Sequence, residues 1–191
     1  MRQFCNRCGT PMERATIEGR ERERCPACGF VAYHNPAPVA LAVIEHDGRL
    51  VLIRRSKAPL AGYWAPPAGY VELGESVPEA VVREAREETG LTIALDGLLG
   101  VYSQPDVSVV LIAYRARAVS GEPVAGDDAA DIGLFGRGRL PVQLPPQGGS
   151  LTDQWFYGVI RELTAPWRKE RAALAPRMNR SQRSLRVGSC R

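Results

Sequence analysis

The stretch GYVELGESVPEAVVREAREETGL, residues 69–91, decides how the rest of the chain is read. Ser76-Val77-Pro78-Glu79 has the spacing of a capping box, so a helix should start at Val77. Its apolar positions continue through Val81, Val82, Ala85 and Thr89. Gly90 then supplies a left-handed stop before Leu91, a length of about three and a half turns. On this helix the i, i+3, i+4 spacing brings Glu84, Glu87 and Glu88 onto adjoining rows of one face, while Arg83 can reach Glu87 one turn on. Like charges so placed destabilise an isolated helix. Their retention calls for a cation, and hard oxygen ligands favour Mg²⁺ or Mn²⁺. A solvated, salt-bridged helix face is the plainer reading of the glutamates alone.

Outward from the helix, two β-type runs, Val-Ala-Leu-Ala-Val-Ile at residues 39–44 and Leu-Val-Leu-Ile within 49–54, flank an Asp47-Gly48 turn and predict a β-hairpin. Asn35-Pro36-Ala37-Pro38 reads as a linker, and the domain boundary is placed there. Further strands are expected at 91–95, 97–102, 107–116 and 132–135, and a final helix at 151–163. This order predicts an α/β chain around a largely antiparallel or mixed sheet.

Cys5 and Cys8, then Cys25 and Cys28, form two C-x-x-C pairs separated by 16 residues. Residues 13–24 between them hold too little apolar material for a core, so something besides burial must hold this piece together. The spacing suits a structural Cys₄ Zn²⁺ ribbon, with Gly9 and Gly29 allowing the knuckle turns. Two disulfides, disfavoured in a cytoplasmic chain, or an iron site of rubredoxin type would use the same cysteines. Cys190 stands apart and is expected to have no role.

The 191 residues, 45% hydrophobic and 24% charged, are ordinary for one substantial core with a small appendage. The net charge of +4 is uneven: from Pro166 onward eight basic residues face Glu170 alone, so this tail carries +7 and residues 1–165 carry −3. The tail is expected to be disordered. No segment approaches the roughly 18 apolar residues of a membrane span, and no apolar stretch follows the N-terminal charge. A cytoplasmic protein without a membrane partner is expected. His34 and His46, beside the ribbon and in the hairpin turn, make a Ser- or Cys-His mechanism a poor fit.

Gly69, five residues, Glu75, seven residues and then Arg83-Glu84-Ala85-Arg86-Glu87-Glu88-Thr89-Gly90-Leu91 match the pattern G-x5-E-x7-R-E-U-x-E-E-x-G-U, with Ala85 smaller than the bulky aliphatic at U. Residues 36–165 thereby resemble a Nudix hydrolase domain, preceded by a ribbon at 1–35 and followed by the tail at 166–191. The resemblance implies an α/β/α sandwich in which Glu84, Glu87 and Glu88 organise Mg²⁺ (or Mn²⁺) with a backbone carbonyl near Ala68 and Gly69, while Arg83 and Glu75 hold the glutamates. A later acid joins such sites; among Asp127, Asp128 and Asp131, the preferred candidate is Asp131. Two metal ions would neutralise a diphosphate ester and deliver water in line.

A ribbon ahead of a Nudix domain is similar to the NADH, ADP-ribose and FAD pyrophosphatases. NADH pyrophosphatases carry SQPWPFPxS, whereas this chain continues Ser103-Gln104-Pro105 with Asp106-Val107-Ser108, which moves ADP-ribose, FAD or another nucleoside diphosphate derivative forward. Tyr63 and Trp64 are candidates to stack on a base, or else core residues. Arg54 and Arg55 are candidates for phosphate contact, or else solvated. The resemblance also implies a homodimer. The ribbon and basic tail motivate a different reading, a nucleic-acid-binding or RNA-cap-processing module.

Overall fold

A computed structural model describes residues 3–126 and 128–168. In the ribbon, β1 (Glu13–Ile17) and β2 (Arg20–Arg24) form an antiparallel hairpin, and β3 (Val31–Ala32) pairs with β2. Only Cys5 and Cys25 of the thiols are buried, so the ribbon has almost no apolar interior of its own.

The main body begins with β4 (Ala37–His46) and β5 (Arg49–Arg55). Asp47 and Gly48 between them adopt φ of 49° and 72°, the left-handed pair of a two-residue hairpin turn. The hairpin pairs only at its tip, through Glu45↔Leu50 and His46↔Arg49. Beyond the tip β4 runs parallel to β9 (Val109–Ser120) and also meets β7 (Ala68–Tyr70), while β5 meets β6 (Trp64–Ala65) and β10 (Ala129–Phe135). With β8 (Thr92–Tyr102) at one edge, the order is β10-β5-β4-β9-β8, a mixed sheet.

Both faces of the sheet are covered, which explains the unbroken apolar runs of its central strands. Leu41, Val43, Leu50 and Leu52 pack on one side with α2 (Leu151–Leu163), while Ala40, Ala42, Ile44 and Val51 pack on the other with α1 (Val77–Thr89). The alternation within β4 and β5 thus sets the three layers.

Several expectations are corrected. Residues 37–38 are no linker but the start of β4, opposite Val109 and Val110; Pro38 lacks an N–H, yet its carbonyl accepts from Val71 N at 3.1 Å. The two runs at 91–95 and 97–102 are one strand, β8, bent by register shifts at Leu95/Gly97 and Leu98/Gly100. The packed chain also extends past residue 165: Ala165–Arg168 form α3, and Trp167, 6% exposed, joins the core beside α2. Residues 169–191, and with them most of the basic tail and Cys190, lie outside the described residues.

Because Trp167 fills a buried position, Trp167→Ala should lower the free energy of unfolding by about 3–5 kcal/mol. Urea titration checks this, and a loss below about 0.5 kcal/mol, the size of an ordinary surface change, would show that the core ends before α3.

Candidate metal and phosphate site

Helix α1 is fixed at both ends by local chemistry. Ser76 N donates to Glu79 Oε2 at 2.8 Å, Glu79 N returns to the Ser76 hydroxyl, and Gly90, at φ 71°, donates to Arg86 O. A strap at residues 121–126 then takes up the terminal carbonyls: Val124 N donates to Thr89 O at 2.9 Å and Gly126 N to Glu88 O at 3.1 Å. A Cβ at Gly126 would run into the Glu87 carbonyl oxygen, so glycine is what lets the strap lie against the helix. Ala80, Val81 and Ala85 anchor the inner face, and the small Ala85 is fully buried among Ala40 and Ala42 of β4.

Arg83 is the hub of the polar face. Its Nε and one Nη grip Glu75 at 3.0 and 2.7 Å, that Nη also reaches Tyr70 O at 2.9 Å, and the other Nη reaches Glu84 at 2.7 Å and Glu87 at 2.9 Å. The Arg83 hydrogen bonds, followed by the Glu72 N–H, hold the Glu75 carboxyl down at about 2. Glu84 lies against Gly69, where a Cβ would collide with its carboxylate; burial pushes its pKa up against the pull of Arg83. Glu88 is 6% exposed and accepts from Ala68 N at 2.8 Å, and burial raises it to about 7. Glu87, with 57% of its side chain exposed, is the solvated member. The three carboxylates share one end of α1 without converging on one point. Among the described residues only the four cysteines bring at least three ligand atoms within 4.8 Å of one another.

Glu88 opens into a cavity of about 350 Å³ between α1, the end of β5 and α2. Arg55 lines it: Nε donates to Pro59 O at 2.7 Å, and the guanidinium stacks over Phe156 at 5.5 Å. Burial lowers the Arg55 pKa, and the charges of Glu88 and Asp128 oppose that shift. Lys57 and Asp128 form an ion pair on the wall. The site therefore sets two cations beside two carboxylates.

Of the residues singled out in the sequence, Glu75, Arg83, Glu84, Glu87, Glu88, Ala68 and Gly69 come together, and Arg55 joins them across the cavity. Arg54 and Asp131 do not line it; they face each other at 4.0 Å, both half-exposed. Asp128, named but not preferred, lines the cavity, and Asp127 lies outside the described residues. Tyr63 packs edge-on against Tyr157, and Trp64 packs against Phe135 with its backbone clasped by Gln143; both belong to the core. Lys57 and Trp155 are cavity residues that the sequence reading passed over. A signal for Trp155 existed in the i, i+3, i+4 set Thr152, Trp155, Phe156.

In the ribbon, Cys5 Sγ stands 3.6 Å from Cys28 Sγ, and Cys8 Sγ stands 3.4 Å from Cys25 Sγ. All four are free thiols. A tetrahedral ion with metal–sulfur bonds of about 2.3 Å requires sulfurs roughly 3.8 Å apart, so the cluster fits a Cys₄ site and not two disulfides. Two matching knuckles build it: Gly9 and Gly29, both at φ 73°, return N–H bonds to the Cys5 and Cys25 carbonyls. Hydrogen bonding with Thr10, first its hydroxyl and then its backbone, lowers the Cys8 thiol to about 6, towards the thiolate a metal takes. His34 meets Glu23 and His46 meets Asp47, neither of them in the cavity.

Comparison with known proteins agrees with this geometry. The family profile described as NUDIX domain matches residues 34–146, and that described as Nudix N-terminal, a zinc ribbon, matches residues 3–34. The chain is 44% identical over 113 residues to an ADP-ribose pyrophosphatase of Methanocaldococcus jannaschii, covering 57% of this chain and 67% of that one. It is 37% identical over 147 residues to the NAD-capped RNA hydrolase NudC of Pseudomonas aeruginosa, covering 76% of this chain but only 51% of that relative. A crystal structure of a NUDIX hydrolase from Nitrosomonas europaea superposes with a TM-score of 0.75 at 29% identity, over 88% of this chain and 92% of the other.

The raised Glu88 carboxyl has a consequence for stability. Its folded value of about 7 lies above the ordinary 4.5, so without divalent metal the native state holds the proton more tightly than the unfolded chain. That contribution is complete below about pH 4.5 and is lost as pH rises to about 7, up to about 3 kcal/mol. Relative to Glu88→Gln, wild type without added divalent metal should therefore lose stability across this window in urea titrations. A pH-independent gap between the two would contradict the buried carboxyl.

Proposed function

The chain belongs to the NUDIX family and carries that family's N-terminal zinc ribbon, and from this premise we propose that it hydrolyses the pyrophosphate of a nucleoside diphosphate linked to a second group, with ADP-ribose as the preferred member. The observation that carries this reading is the placement of Glu88 and Arg55 on one cavity. A carboxylate that can lose its proton near neutral pH faces a half-buried guanidinium suited to phosphate.

The donors at the end of α1 are all hard oxygens, with no imidazole or thiolate among them, which fits Mg²⁺ or Mn²⁺. Glu84, Glu87 and Glu88, with a carbonyl at Ala68 or Gly69, would hold the ion, and it would supply charge neutralisation of the diphosphate and acidify bound water. Glu75 and Arg83 position these carboxylates. Arg55, with Lys57 beside it, binds and orients the phosphates. Asp128, across from Glu88, is the later acid in place of Asp131, and the pair are the groups positioned to accept the proton of the attacking water. Water oxygen bonds to phosphorus as the anhydride P–O bond breaks, giving AMP and ribose 5-phosphate from ADP-ribose. The Cys5, Cys8, Cys25 and Cys28 ribbon holds a structural Zn²⁺.

A second reading, removal of a nucleotide cap from RNA, is motivated by the 37% identity to an NAD-capped RNA hydrolase. The basic tail that suggested nucleic acid lies mostly outside the described residues.

Assay of ADP-ribose, FAD, NADH and NAD-capped RNA with Mg²⁺ should show ADP-ribose turned over fastest. Glu88→Gln should cost about 100-fold or more in rate, and Asp128→Asn should cost more than Asp131→Asn. Equal inactivity of wild type and Glu88→Gln on every substrate would sink the hydrolase reading for this panel, and faster turnover of capped RNA would favour the second. Separately, metal analysis should find one zinc per chain, released by a thiol-modifying reagent with loss of ribbon structure; zinc retained after all four thiols have reacted would contradict the Cys₄ site.

A further inference from the structure

Three tryptophans fall within the described residues, and they differ in what their ring faces meet. Trp64 is engaged by Phe135 at 5.1 Å, and Trp167 is buried under Arg137. Trp155 alone among them lines the cavity of Glu88 and Arg55. It is partly exposed, its ring leans on Phe156 at 6.5 Å and 31°, and its indole N–H has no hydrogen-bond partner among the described residues. Phe156 is already spoken for, being 5% exposed and covered by the Arg55 guanidinium. Two aromatic side chains of the lining keep surface for a ligand, Trp155 and Tyr70, which is 61% exposed; Trp155 is the one on α2 beside Phe156 and the Arg55 guanidinium.

This wall is held in place before any ligand arrives. The Asp153 carboxylate caps α2 through Ser150 N at 2.8 Å, and its other oxygen accepts from Leu60 N at 2.8 Å. One side chain thus ties the segment bearing Lys57 and Pro59 to the helix bearing Trp155. Thr152, one turn before Trp155 and Phe156 on the same helix face, adds a hydroxyl to the cavity lining. At about 350 Å³ the cavity is near the lower end of ligand sites, enough for one nucleotide half of the substrate and not for both.

We propose that Trp155 is the binding residue for the nucleoside half, stacking on its base while Arg55 engages the phosphates. The proposal rests on the hydrolase reading above for the identity of the ligand. A flat aromatic face of this kind accepts any base by its π-surface. Recognition then falls on the nucleoside, and the second half of the substrate is left outside the cavity.

The test uses the full chain with AMP and ribose 5-phosphate as probes, following tryptophan fluorescence and binding heat without turnover. AMP should quench wild-type emission and ribose 5-phosphate should not. Trp155→Phe should bind AMP without that quench, and Trp155→Ala should weaken AMP binding and raise KM for ADP-ribose by about 5- to 100-fold while kcat changes little. Quenching of equal depth in wild type and Trp155→Phe, or a KM within twofold of wild type in Trp155→Ala, would overturn the assignment. AMP binding needs no hydrolysis. Base-dependent quenching in a chain that turned over no substrate would support the stacking contact while the hydrolase reading failed; turnover with an unchanged KM in Trp155→Ala would do the reverse.

Discussion

Arg83 makes the rest of the site possible. Three glutamates within five residues on one helix repel one another, and a helix of 13 residues has little intrinsic stability with which to resist. The guanidinium answers that by splitting its donors: one side binds Glu75 and the Tyr70 carbonyl, the other binds Glu84 and Glu87. It thereby links the loop ahead of α1 to the helix itself. Gly69 brings β7 close enough for Glu84 to rest on its Cα, and the Ala68 N–H reaches Glu88. The spacing from Gly69 through Glu75 to Arg83 is thus a set of contacts in space.

The remainder of the domain turns that helix toward a ligand. Both faces of the sheet are buried, so α1 and α2 sit on opposite sides, and the end of β5 is where the two sides can address one cavity. Arg55 is the link. It is the last residue of β5, it packs on Phe156 of α2, and it shares the cavity with Glu88 of α1. The strap across the C-terminus of α1 ends beside Asp128, so the helix that carries the carboxylates also sets the position of the opposing acid.

What could be read from sequence was what depends on near neighbours. The caps at Ser76 and Gly90, the face of Glu84, Glu87 and Glu88, the Cys₄ knuckles and helix α2 are all determined within a few residues of themselves. Features set by partners far along the chain were not legible. Ala37 and Pro38 look like a linker until β9, more than 70 residues on, pairs with them. Arg54 and Arg55 are adjacent, and strand alternation sends them to opposite faces, but which one meets the cavity follows from sheet order. The choice between Asp128 and Asp131 is harder still, because β10 carries a register shift between Ala129 and Asp131 that breaks the two-residue period. Trp64 is held by Phe135 and Gln143, each more than 70 residues away, and no local pattern distinguishes it from Trp155.

In the proposed hydrolysis, water attacks phosphorus at the meeting point of α1, β5 and α2. Hydrolysis of ADP-ribose in ¹⁸O-enriched water, with the products resolved by mass and by ³¹P chemical shift, tests it most directly. A single ¹⁸O bonded to phosphorus in AMP or ribose 5-phosphate, and none in the ribose of AMP, is the expected result. Consumption of ADP-ribose with no label on phosphorus, or with label at the ribose carbon that held adenine, would contradict it.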